Sequence, residues 1–132
     1  MIGVVIITHG NIAQALLDTM VHVVGTQENI IALGMEQEDD TEVFKKTVHD
    51  AVSTVNTGRG AILLTDMFGG TPSNVAIASL NVGVTEVIAG VNVPMLVKLA
   101  QIRNDPQKSL KDIVLEVQAA GQKYIHVASD FV

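Results

Sequence analysis

One histidine and one aspartate stand out by where they fall. His9 follows the apolar run Met1–Ile7 through Thr8 and is itself followed by Gly10 and Asn11. Asp66 follows a second run, Ala61–Thr65, and opens the stretch Asp66-Met67-Phe68-Gly69-Gly70-Thr71-Pro72-Ser73-Asn74. A neutral imidazole has one ring nitrogen with a free lone pair and one that bears a proton. An aspartate accepting that N–H fixes the tautomer, aims the free nitrogen and stabilises positive charge as the ring attacks. Taken alone, His9 reads equally as a structural hydrogen-bonding residue, although Gly10 leaves open space beside the ring. Taken alone, Asp66 reads as a turn residue ahead of a glycine pair.

The glycine-rich stretch suggests a second role. Gly69 and Gly70 let backbone approach a ligand, and a helix starting at Pro72 presents unpaired N–H groups and partial positive charge. With the Thr71 and Ser73 hydroxyls, this arrangement suits a phosphoryl group. A plain loop with a Ser/Thr cap fits the same composition, and the Gly-Lys-Ser/Thr ending of a P-loop is missing. The other histidines have simpler readings. His22, four residues after Asp18, reads as half of a surface pair. His49 beside Asp50 reads as solvated, and His126 as a packing or edge residue of a last strand. No His/Asp/Glu spacing makes a metal cluster, and no Gly-x-Ser-x-Gly elbow marks a hydrolase.

The elements that must hold these residues follow from periodicity. Ile2–Ile7, Asn29–Leu33, Ala61–Thr65 and Glu86–Val91 are short, β-branched and continuously apolar, as expected of parallel strands covered on both faces. Helical spacing fills the gaps. Ile12, Ala13, Leu16, Leu17, Met20, Val23 and Val24 form one apolar face. A helix over Thr41–Val55, capped by Thr41, turns Val43, Phe44, Thr47, Val48, Ala51, Val52 and Val55 inward. Further helices are predicted from Pro72 to about Leu80, from Pro94 to Ile102, and from Ser109 to Ala120, where Gly121 stops the last. Tyr124–Val127 reads as a closing strand. The β-α-β-α-β-α-β order gives an open α/β sheet with right-handed crossovers. In such a sheet ligands bind beyond the carboxyl ends of the strands. Strands 1 and 3 are then neighbours, so His9 and Asp66 converge across 57 positions of chain.

Composition narrows the function classes. The 132 residues are 48% apolar and fit one domain, residues 1–132, with a core large enough to need no staple. The absence of cysteine removes disulfides, thiolate metal sites and cysteine nucleophiles, and suits a reducing compartment. Fourteen acidic against eight basic residues give a charge of −6, which argues against a general nucleic-acid binder. No apolar run approaches the roughly 20 residues of a bilayer-spanning helix. Met1–Ile7 lacks a basic lead and a cleavage site, so it reads as a buried strand of a cytoplasmic protein.

At these residues the sequence resembles the IIA domain of the mannose-family phosphoenolpyruvate:sugar phosphotransferase system (PTS). Thr8-His9-Gly10 looks like that family's phosphorylation site, and Asp66–Asn74 like its Asp-x-(aromatic)-Gly-Gly-(Ser/Thr)-Pro-x-Asn loop. Glu86–Leu96 resembles a third segment, Val-Ile-Ala-Gly-Val-Asn-(Ile/Leu/Val)-Pro-Met-Leu. The three motifs occur in the family's order and span essentially the whole chain. The resemblance implies that His9 takes a phosphoryl group from the phosphocarrier protein HPr and passes it to a IIB partner, with Asp66 orienting the ring. Gly69, Gly70, Thr71 and Ser73 would face the phosphate. Thr8, Gly10, Phe68, Asn92 and Met95 would line the site and partner surface. No cofactor or metal is implied, and membrane contact is only indirect, through a permease complex.

The resemblance also implies a four-stranded parallel sheet of order 2-1-3-4 with helices on both faces. A short antiparallel C-terminal strand, here Tyr124–Val127, would be exchanged between subunits of a homodimer. Phe68 stands where the family often has Trp, keeping bulk without the N–H donor. Glu36–Asp40 replaces the Pro/Gly turn often seen there, so that loop gives no sugar class. With no IIB extension after Val132, the expected acceptor is a separate polypeptide. Two further roles share the same residues: a regulatory stand-alone IIA protein, and the IIA-like phosphoryl donor of dihydroxyacetone kinase. A metal-binding, chelatase-like α/β protein is the rival from another class, because a His-Gly pair after strand 1 also occurs there.

Overall fold

The continuous apolar runs conceal a period of two. In strand β1 (Gly3–His9), Val4 and Ile6 join one core, whereas Val5 and Ile7 join another on the opposite face. Strand β3 (Ala61–Thr65) splits in the same way, with Ile62 and Leu64 on the first face and Ala61 and Leu63 on the second. Central strands with both faces buried need no polar alternation. Strands β2 (Ile30–Met35) and β4 (Thr85–Ala89) complete a parallel sheet of order β2-β1-β3-β4. This computed structural model describes residues 1–132.

Helices α1 (Ile12–Val24), α4 (Val93–Ile102) and α5 (Leu110–Lys123) cover the first face through Ala13, Met20, Leu96, Leu99, Ile113 and Val117. Helices α2 (Thr41–Val55) and α3 (Thr71–Ile77) cover the second through Phe44, Val48, Val52, Val55, Val75 and Ala76. The result is the predicted α/β architecture, with the predicted strand order.

At the amino end of the sheet, Arg103 is almost fully buried and ties strands together. Its Nε and Nη2 donate to Ile2 O at 3.1 and 2.8 Å, and Nη2 also donates to Asn29 O at 3.1 Å. Burial pushes the guanidinium down to about 10, against a smaller upward pull from Glu28. This end lies opposite the carboxyl ends of the strands, so it frames the site without touching it.

Several expectations are corrected by packing. Ile12 and Val23 of α1 and Val43 and Thr47 of α2 are exposed, because they sit at the margins of stripes narrower than predicted. The α2 cap is Asp40, one residue before Thr41, and its carboxylate accepts from Glu42 N at 2.8 Å and Val43 N at 3.2 Å. Helix α3 ends at Ile77 rather than near Leu80. Helix α4 begins at Val93, with Asn92 as its cap and Pro94 inside the first turn.

Gly121 does not stop α5, which runs through it to Lys123. A Cβ there would lie 2.5 Å from Met95 Cγ, so the glycine serves the close approach of α5 to α4. Tyr124–Val127 is not a strand in this chain. It is exposed and irregular, followed by one 3₁₀ turn over Ala128–Phe131. A strand exists only by pairing, and no edge of this chain's own sheet takes up that segment. His126 packs edge-on to Tyr124 and Phe131, with ring centroids 6.5 and 4.7 Å apart. Asp18 accepts from Gln14 Nε2 at 2.9 Å, so the predicted Asp18–His22 pair is replaced by one with the preceding turn. No helix is long and apolar enough to cross a membrane.

Candidate functional site

Two neighbouring strands deliver the two residues. Ile7 of β1 registers with Thr65 of β3, so both chains leave the sheet side by side at its carboxyl edge. Thr8 anchors the exit of β1. Its buried Oγ1 accepts from Ala13 N at 2.8 Å and donates to His9 O at 3.0 Å. Thr8 therefore satisfies an orphan donor of the first α1 turn, a task that the Asn11 side chain at the cap position does not perform. Gly10 then turns with φ +50°, and its N–H donates to Met35 O at 2.9 Å.

Asp66 Oδ2 accepts twice from His9, from Nδ1 at 2.7 Å and from the backbone N–H at 3.0 Å. Its Oδ1 accepts from Met67 N at 3.0 Å. Burial alone would push the Asp66 carboxyl up. The hydrogen bonds from the His9 ring and backbone, the ring's charge and its own loop backbone outweigh this and hold it below the usual value. An ionised carboxylate only accepts, so Nδ1 carries the proton. In the neutral ring, Nε2 is left with its lone pair. The Asp66 side chain is 14% exposed and that of His9 50% exposed, so the orienting group is sheltered and the ring is open to a reactant.

The Gly69-Gly70 turn meets the ring directly. A Cβ on Gly70 would lie 3.0 Å from His9 Cε1 and 3.5 Å from Nε2, so a bare backbone lies along the edge that carries the free nitrogen. Gly69 has φ +88°, a conformation that favours glycine. Thr71, at the start of α3, is exposed. Phe68 is 78% exposed and Met67 56% exposed, which puts two large apolar side chains in solvent on the same loop.

Three predicted site residues sit elsewhere than expected. Ser73 is fully buried and its Oγ has no partner, like Thr65 Oγ1 nearby in the chain. Its hydroxyl faces no solvent from which a phosphoryl group would arrive. Asn92 is spent on packing: Oδ1 accepts from Met95 N at 3.1 Å to cap α4, and Nδ2 donates to Gly121 O at 3.0 Å. Met95 is part of the first core. The pattern Asn-x-Pro, a polar cap residue with proline in the first turn, is the sequence signal for this role. Met67, absent from the predicted site, follows Asp66 directly and is exposed. No group of three or more His, Asp or Glu side chains is close enough to hold a metal ion.

Comparison with known proteins identifies the family. A family model described as PTS system fructose IIA component matches residues 3–118. The chain is 28% identical over 131 residues to the PTS system fructose-specific EIIA component of Bacillus subtilis (strain 168), covering 98% of this chain and 88% of the relative. It is 33% identical over 118 residues to the PTS system mannose-specific EIIAB component of Escherichia coli (strain K12), covering 89% of this chain. It spans only 36% of that longer relative. Among solved structures, the phosphotransferase system component EIIA from Streptococcus agalactiae superposes with a TM-score of 0.87 at 24% identity, covering 98% of this chain and 99% of that one. The PTS IIA protein associated with the fucose utilization operon from Streptococcus pneumoniae gives a TM-score of 0.82 at 28% identity, covering 98% and 96%. The fold, the order of the motifs and the family match agree: the chain belongs to the mannose/fructose-type IIA components of the sugar phosphotransferase system, which are phosphotransferases.

Proposed function

We propose that the chain, acting as one IIA unit, is a phosphoryl carrier whose acceptor atom is His9 Nε2. The supporting observation is the 2.7 Å contact of Nδ1 with Asp66, which leaves Nε2 as the free nucleophile on a half-exposed ring. In the forward step, Nε2 attacks phosphorus in line. A new P–N bond forms as the P–N bond of the donor phosphohistidine breaks, and the donor imidazole leaves with the electron pair. The His9 ring becomes cationic and keeps its Nδ1 proton, held toward the Asp66 carboxylate. Phosphoryl transfer needs mainly alignment and charge stabilisation. The Gly69-Gly70 backbone and the Thr71 hydroxyl supply part of the latter, and no cofactor is required.

The donor in this reading is phospho-HPr and the acceptor a separate IIB protein, with the reverse displacement returning His9 to its starting state. The setting is the cytoplasm, with the membrane reached only through a permease complex. A second copy of the chain fits the same reading, since the apolar Tyr124, Ile125 and Val127 are exposed and β4 is an edge strand of the sheet. Light scattering that returns a monomer at micromolar concentration removes this dimer.

Incubation with phosphoenolpyruvate, enzyme I and HPr followed by intact-mass spectrometry tests the carrier. The wild type gains one acid-labile phosphoryl group, and His9→Ala gains none. An unmodified wild type, or a His9→Ala protein labelled as well as wild type, ends this reading.

A further inference from the structure

The turn that carries His9 rests on a residue of a different strand. Gly34 lies on edge strand β2, in register with Thr8 of β1, one position before the Met35–His9 pair. A Cβ built on Gly34 would overlap the Gly10 carbonyl oxygen and come within 3.0 Å of the Gly10 carbonyl carbon. These are backbone atoms, which have no rotamer by which to step aside. Gly10 is also tied to the same strand by its N–H bond to Met35 O at 2.9 Å. The β1–α1 turn is thus folded down onto the bare backbone of β2. Gly34 itself is exposed, and its φ lies outside the left-handed region, so neither burial nor conformational freedom accounts for a glycine here.

We propose that Gly34 is a positioning residue for His9: its missing side chain lets Gly10 seat on β2, and that seating holds the imidazole against Asp66. The link is short. Gly10 is bonded to His9, whose backbone N–H and Nδ1 both donate to Asp66 Oδ2, at 3.0 and 2.7 Å. Any side chain at position 34 lifts the Gly10 carbonyl by roughly an ångström or more to reach van der Waals distance. A displacement of that size exceeds the tolerance of a 2.7 Å charge-assisted bond. Thr8 cannot compensate, because its hydroxyl is already committed to Ala13 N and His9 O. The importance of Gly34 for catalysis rests on the His9 carrier reading; its effect on the His9–Asp66 bond does not.

The test is Gly34→Ala, read first in the unphosphorylated protein by the His9 Nδ1–H proton resonance and its exchange with water. The wild type is expected to show a downfield, slowly exchanging signal, and Gly34→Ala a signal shifted upfield and broadened by exchange. Val52→Ala, which weakens the α2 core away from the turn, lowers stability without moving that signal. Phosphoryl acceptance by Gly34→Ala is expected to fall roughly 10- to 100-fold, the usual consequence of an ångström-scale misplacement. Gly34 is exposed and the clash involves a surface turn, so the core is retained; spectra taken in sucrose favour the folded form. A wild-type His9 signal in folded Gly34→Ala overturns the proposal, whereas an altered signal with an unchanged transfer rate supports the positioning of the ring and overturns its importance for transfer. A variant that stays unfolded even in sucrose overturns it too, by assigning Gly34 to the fold at large. If wild type itself accepts no phosphoryl group, the carrier reading falls while the proton signal still decides whether Gly34 positions the ring.

Discussion

Asp66 Oδ2 holds His9 twice, by the ring at 2.7 Å and by the backbone N–H at 3.0 Å. One oxygen therefore sets both the orientation of the imidazole and the position of the chain that carries it. A substitution that keeps the shape but removes the charge separates these two tasks.

Asp66→Asn retains an oxygen that can accept from both donors and loses the negative charge that, in the proposed carrier, supports the cationic ring. Phosphoryl acceptance measured by rapid quench is expected to fall roughly 10- to 100-fold, the size of effect typical of losing the partner that orients a functional histidine. A rate within twofold of wild type contradicts this role for the charge.

The same carboxylate makes stability depend on pH in a defined direction. Asp66 sits below its ordinary value in the folded protein, so the folded state binds fewer protons there than the unfolded chain. Its contribution is present above the unfolded value of about 3.9 and is lost as pH falls through the folded value. The stability difference between wild type and Asp66→Asn, measured by urea unfolding, should be widest near neutrality and close in acid. A difference that stays constant across that span counts against the assignment.

Much of this site was legible in the sequence because strand ends are legible. Two continuous apolar runs stop at Thr8-His9 and Thr65-Asp66, and the doubly wound order makes those strands neighbours. What could not be read depends on distances between elements. Gly121 has the composition of a helix stop, yet it is where Met95 approaches α5. Resemblance groups Asn92 and Met95 with the site, whereas the Asn92 amide is consumed by α4 and Gly121. Tyr124–Val127 has the residues of a strand, and pairing is not a property of a segment alone. The role of Gly34 requires knowing where the Gly10 carbonyl lies, and no local pattern encodes that.

The α4–α5 contact makes its own prediction. Gly→Ala inside a helix normally stabilises by up to about 1 kcal/mol. Gly121→Ala should instead destabilise by about 1–3 kcal/mol, because the new methyl meets Met95 Cγ and Sδ. Combining it with Met95→Ala should remove much of that penalty in a double-mutant cycle. Additive effects would contradict a direct contact.

Arg103 should be the most costly exposed-type residue to remove. Arg103→Ala leaves Ile2 O and Asn29 O without their side-chain donor, and should cost about 2–4 kcal/mol in chemical denaturation. Arg103→Lys should recover only part of this, since an ammonium cannot reproduce the planar fork. A lysine variant as stable as wild type would show that charge alone suffices.

Thr8→Ala removes the acceptor for Ala13 N and the donor to His9 O, and should lower stability by about 1–2 kcal/mol. Thr8→Ser keeps both bonds and should recover most of the loss. Equal losses in the two variants would place the effect in the methyl group.

The most direct test is to find which atom carries the phosphoryl group. After phosphorylation through enzyme I and HPr, nitrogen-15 NMR of the imidazole distinguishes the two ring nitrogens of His9. The structure commits Nδ1 to Asp66 at 2.7 Å, so a single phosphoryl group on His9 Nε2 is expected. A phosphoryl group on Nδ1, on another residue, or on none would contradict it.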